Sequence, residues 1–74
     1  MNKQLVQDII KVGNKAMDIM SIRYTVDTKD NRYCSYDGLY YDDNHVEFTN
    51  DCDNDVVLSY DEITGIKVSN LWYK

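Results

Sequence analysis

Asp51, Asp53, Asp55 and Glu62 stand at positions 1, 3, 5 and 12 of a twelve-residue window. Calcium takes six to eight oxygen ligands, and this is the spacing of acids in a helix-flanked calcium loop. Position 6, where glycine makes the sharp turn, is Val56, and the flanks alternate like strands. The window therefore reads as a solvated turn, with a divalent-metal site at these four acids as the alternative, and no cofactor is expected. His45 is the single imidazole, seven residues from Cys52, and no serine or cysteine motif places a nucleophile beside it. Asp42 and Asp43 are adjacent acids, but an acid–base pair needs apolar walls that drive the two pKa values apart, and adjacent acids in a turn are hydrated. A glycine-rich phosphate loop is absent. Catalysis is not expected. Cys34 and Cys52, with His45, make three zinc donors without CxxC-type spacing, one short of a tetrahedral site.

A larger pattern encloses these residues. Between Asp37 and Glu62, 26 residues carry nine carboxylates (Asp37, Asp42, Asp43, Glu47, Asp51, Asp53, Asp55, Asp61 and Glu62) and no Lys or Arg. Tyr36, Tyr40, Tyr41, Phe48 and Tyr60 are interleaved with them or lie beside them. All eight basic residues fall outside, opposed only by Asp8, Asp18, Asp27 and Asp30, so a formal charge of −5 conceals a strongly polarised chain. Binding nucleic acid through its phosphates draws on Lys and Arg, so direct nucleic-acid binding is not expected. Such a surface attracts basic partners instead, including the groove of a protein that normally holds nucleic acid.

The elements that must position these groups follow from periodicity. Within residues 3–20, Leu5, Ile9, Val12, Ala16 and Met20 form one row flanked by Val6, Ile10 and Met17, which predicts an amphipathic helix of about five turns lying as a lid on the core. Gly13 is placed to let that helix approach a sheet. From Ser21 the period becomes two. Ile22, Tyr24 and Val26 point inward, and Lys29 to Asn31 make a hairpin turn. A strand over 32–42 bends at Gly38, a third over 45–49 buries Val46 and Phe48, and residues 50–55 turn. Val56, Leu58 and Tyr60 then alternate inward, DEITG reads as one tight turn ending at Gly65, and a last strand carries Ile66 and Val68 inward and continues into Leu71, Trp72 and Tyr73. Trp72 and Tyr73 either close the core or form a patch for a homodimer built by edge pairing. The expectation is an α+β single domain over 1–74: a helix at about 3–20, then about five antiparallel strands at about 21–73, as a small barrel or an open sheet.

The leading helix, the strand bent at glycine and the closing segment VVLSYDEITGIKV resemble the small Sm-like and SH3-like barrels. The RNA-contacting residues of bacterial Sm-like proteins have no counterparts here, so the resemblance implies a fold and not RNA binding. In size, composition and charge the chain also resembles phage-encoded inhibitors of the anti-CRISPR, anti-restriction and DNA-glycosylase-inhibitor types. That resemblance implies a non-enzymatic inhibitor. Alternate residues on a strand face lie about 6.6 Å apart, on the scale of successive phosphates, so carboxylates so placed imitate a nucleic-acid backbone. Asp37, Asp42, Asp43, Glu47, Asp51, Asp53 and Asp55 are the expected contact residues, with Tyr40 and Tyr41 as rigid amphipathic anchors. A self-associating structural module, whose acids serve only solubility, is the alternative. No run of eighteen apolar residues predicts a membrane span, and the amino terminus shows no secretory pattern, so the expected location is cytoplasmic, a host cytoplasm for a phage protein, with free thiols.

Overall fold

The computed structural model describes the backbone of residues 1–73 and the side chains of residues 1–70. Helix α1 spans Lys3–Ala16; strands follow at Met20–Thr28 (β1), Arg32–Ser35 (β2), Tyr40–Tyr41 (β3), His45–Thr49 (β4), Asp55–Ser59 (β5) and Ile63–Tyr73 (β6). They form two antiparallel sheets, ordered β2-β1-β6 and β3-β4-β5. Their apolar faces meet with α1 in one core of Val6, Ile10, Ile22, Tyr24, Val26, Leu39, Val46, Phe48, Leu58, Tyr60 and Ile63. The sheets do not close on each other, so the architecture is the open-sheet form of the α+β expectation rather than the barrel. No helix among the described residues is long and apolar enough to cross a membrane.

Asn2 starts α1 by accepting the Leu5 N–H on its side-chain oxygen at 3.1 Å, satisfying one of the free donors of the first turn. The helix stops at Ala16, four residues before the expected end. Asp18 and Ile19 wind more tightly, their N–H groups donating to Lys15 and Ala16 carbonyls, and Met20 is already paired with Tyr73 in β1. The 3.6-residue apolar period continues through Met17 and Met20 because both pack against the core after the helix has ended. The buried face is also rotated from the expected row: Val6, Ile10 and Gly13 are buried, whereas Leu5 and Val12 are exposed.

Gly13 explains the rotation. A Cβ at this position would overlap the hydroxyl and Cζ of Tyr24, so the missing side chain lets β1 press its tyrosine against the helix backbone. The Tyr24 hydroxyl lies 3.0 Å from the Ile10 carbonyl and 2.9 Å from Asn14 Oδ1, which satisfies the one polar atom carried into that contact.

The expected single strand over 32–42 is two strands in different sheets, giving six in all. Gly38, at φ 88°, turns the chain in a conformation that costs glycine little, and its carbonyl accepts the buried Ser35 hydroxyl at 3.1 Å. Leu39 is thereby driven into the core, and Tyr33 of β2 meets Phe48 of β4 edge-on, ring centroids 6.0 Å apart. DEITG is likewise not one turn. A single 3-10 turn, Tyr60–Glu62, is tied by Glu62 Oε1 accepting the Ser59 N–H at 3.0 Å and its hydroxyl at 3.1 Å, and β6 starts at once with Ile63, 1% exposed. The expectations for the side chains of Leu71, Trp72 and Tyr73 lie outside the described residues.

Candidate protein-interaction face

Alternation along β4 sends Val46 and Phe48 into the core and leaves His45, Glu47 and Thr49 on the outer face of the second sheet. Register then builds a cross-strand row in which Glu47 sits between Tyr40 of β3 and Val57 of β5, 69% and 55% exposed respectively. Directly opposed residues on one sheet face are close enough to interact, so a carboxylate is held between an aromatic and a branched side chain. Beside the row, Tyr40, Tyr41, Asp42, His45 and Glu47 line a hollow of about 240 Å³. Tyr41 is half-buried and packs against the core, so of the two expected anchors only Tyr40 stands free.

The remaining acids gather in the turns at the two ends of β4. Five residues of strand separate those ends by about 17 Å. At one end, Asp42 Oδ1 accepts the N–H groups of Asn44 at 2.8 Å and His45 at 2.7 Å, and these bonds hold its carboxyl below its ordinary pKa. The Tyr60 hydroxyl fixes the same turn from beneath, donating to the Asp42 carbonyl at 2.6 Å while accepting from Gln7 of α1. Asp43 is left exposed at the tip. At the other end, Asn50 Oδ1 accepts from the N–H groups of Cys52 and Asn54, Asp53 takes the left-handed conformation at φ 62°, and the Asp51 N–H donates to the Cys34 carbonyl at 2.9 Å. Asp55 accepts the Thr49 hydroxyl at 3.2 Å across the ladder. Asp37 is exposed in the bend leading to β3.

A row of carboxylates at alternate positions of one strand is not present on β4, whose outer face carries Glu47 alone. Aspartate favours turns, where its side chain bonds to nearby backbone N–H groups, and the acids follow that preference. All nine acids of the 37–62 segment are nevertheless exposed. Among the described residues the one carboxylate within 4 Å of a Lys or Arg is Asp27, bound by Arg32 at 2.7 Å, and it lies outside the segment. The outer face of the first sheet has the opposite character: Arg23, Arg32 and Lys67 occupy the phase away from the core on β1, β2 and β6.

The four acids of the calcium-loop alternative are not brought together. Residues 55–59 are strand β5, which carries Glu62 to the far end of the sheet from Asp51 and Asp53, where it closes the 3-10 turn. Among the described residues no three His, Cys, Asp or Glu side chains converge as metal ligands. His45 and Cys52 sit at opposite ends of β4 and form no nucleophile–base pair; His45 Nδ1 is instead 3.8 Å from Asp42 Oδ1. Both thiols are free, Cys52 exposed and Cys34 half-buried. Two residues of this face were not among the expected contacts. Val57 was legible from its outward phase on β5, and His45 from its position at the head of β4, but neither is acidic.

No family model, curated protein or solved structure matches the chain.

Proposed function

We propose that this chain is a non-enzymatic binding protein whose acidic, tyrosine-bearing sheet face occupies the basic groove of a nucleic-acid-processing enzyme in the cytoplasm, as an inhibitor of the anti-CRISPR or anti-restriction type. The observation that carries this reading is that, among the described residues, none of the nine exposed carboxylates is ion-paired with a lysine or arginine of the chain. A protein that needed its acids only for solubility has no reason to exclude basic residues from 26 consecutive positions. Carboxylates whose bonds within the chain come from backbone N–H groups or from the Thr49 and Ser59 hydroxyls keep lone pairs for a partner's guanidinium groups, which favour bidentate contact. Tyr40 and Val57 supply apolar area at the centre of the face, and the turn acids form its charged rim.

The test is association with purified nucleases, restriction enzymes and DNA glycosylases, measured at about 0.1 M and about 1 M salt, over which the screening length shrinks from about 10 Å to about 3 Å. Asp43→Lys, Glu47→Lys and Asp51→Lys together reverse the face and take the formal charge from −5 to +1. Asp42 is left intact because it closes its turn. Binding should fall at least tenfold in the triple variant and in high salt. Affinity that is absent, or indifferent to both changes, removes this reading.

A further inference from the structure

Helix α1 carries a second apolar row, which the core uses only in part, through Ala16. Val6, Ile10 and Gly13 are buried beneath the helix. Leu5, Ile9, Val12 and Ala16 follow one another at intervals of four, three and four residues on its flank, Ile19 follows three residues later in the turn after the helix, and Leu5, Val12 and Ile19 are 50%, 71% and 61% exposed. That spacing is the apolar seam by which one helix packs along another. Beside it runs a groove of about 450 Å³ between Ile9, Val12 and Ala16 on the helix and Met20, Ile22 and Val68 on the first sheet.

We infer that a second copy of this chain docks here, the two α1 helices lying antiparallel along this seam. The charges beside the seam select that occupant. Asp8 and Lys15, seven residues apart, share its solvent-side shoulder. Antiparallel pairing of identical helices sets like shoulders against each other, so Asp8 meets the partner's Lys15 and Lys15 meets the partner's Asp8, a self-complementary arrangement that a two-fold axis requires. The acidic segment meets α1 at Lys3 and Gln7, which donate to the Asp43 and Asp42 carbonyls and do not belong to the seam. A helix of 14 residues, about 21 Å long, gives a small interface and hence a weak, reversible dimer.

Sedimentation equilibrium of the full chain up to about 1 mM tests this, a range that reaches weak complexes. The wild type should rise from 8.7 kDa towards twice that mass. Val12→Asp and Ile19→Asp, both at exposed positions and the second outside the helix, should each weaken association at least tenfold without moving the melting temperature. A wild type that stays at 8.7 kDa throughout, leaving the seam to a foreign helix, overturns the inference. So does a dimer that both variants form as readily as the wild type.

Discussion

Asn14 holds Leu39 from both sides of its peptide: Nδ2 donates to the Leu39 carbonyl at 2.7 Å, and Oδ1 accepts the Leu39 N–H at 3.2 Å. One helical side chain thus pairs with the backbone of the segment joining the two sheets, as a neighbouring strand would. The same Oδ1 is within 2.9 Å of the Tyr24 hydroxyl, so the helix, β1 and the Gly38 bend converge on one amide. Placing the acidic face depends on this convergence, because β3 begins directly after Leu39.

Asn14→Ala should destabilise the protein by roughly 2–3 kcal/mol, since it removes the hydrogen bonds to both the N–H and the carbonyl of buried Leu39. At roughly 4–8 °C per kcal/mol for a domain of this size, the loss is plain in a thermal melt. Asn14→Asp should restore only the acceptor half. A melt unchanged in Asn14→Ala would mean that Leu39 is held by packing alone.

Gly13→Ala should destabilise despite raising helix propensity. In a solvent-facing helix the exchange gains up to about 1 kcal/mol. Here the added methyl meets Tyr24, and overpacking costs about 1–3 kcal/mol. The sign of the change in urea midpoint decides between the two effects.

Much of this was legible in the chain. The change of period at Ser21 marks β1, and the inward phases of Tyr24, Val46, Phe48, Leu58 and Tyr60 all match buried positions. Gly13 and Gly38 announced a close approach and a bend. What periodicity did not reveal is non-local. Nothing in the spacing of Arg32 to Asp42 says that its halves join different sheets, because that depends on Asn14 reaching Leu39 from 25 residues away. Which of the two apolar rows of α1 is buried was hidden for the same reason: the choice is made by Tyr24 against Gly13. The acids of the face were readable as a group, but their division between two turns came from local backbone bonding at Asp42 and Asn50.

Stability should decline at both ends of the pH scale through separate groups. Burial pushes Tyr24 up to about 12 from its ordinary 10.0. The unfolded chain therefore loses that proton first, and stability held below pH 10 is lost as the pH rises from there through about 12. Asp27, Asp42 and Glu62 are held below their ordinary values by Arg32, by the Asn44 and His45 N–H groups, and by Ser59 respectively. Their contribution is complete above the ordinary values of 3.8 and 4.5 and disappears as the pH falls through the depressed ones. Thermal melts across both ranges check this, and Tyr24→Phe should abolish the alkaline limb attributed to that residue.

Arg23→Met should be neutral or stabilising by up to about 1 kcal/mol. The Arg23 Nε is buried without a hydrogen-bond partner among the described residues, and an unsatisfied donor carries a desolvation cost that an apolar chain of similar length avoids. A clear loss of stability on this exchange would show that the guanidinium group is engaged in solution.

The tips of the two turns bracketing β4, Asp43 with Asn44 and Asp51 through Asn54, lend no side chain to the interior. Insertions or randomised segments grafted there leave the packed residues untouched, so the two tips are natural sites for a display library, and new target preferences can be selected on an unchanged frame.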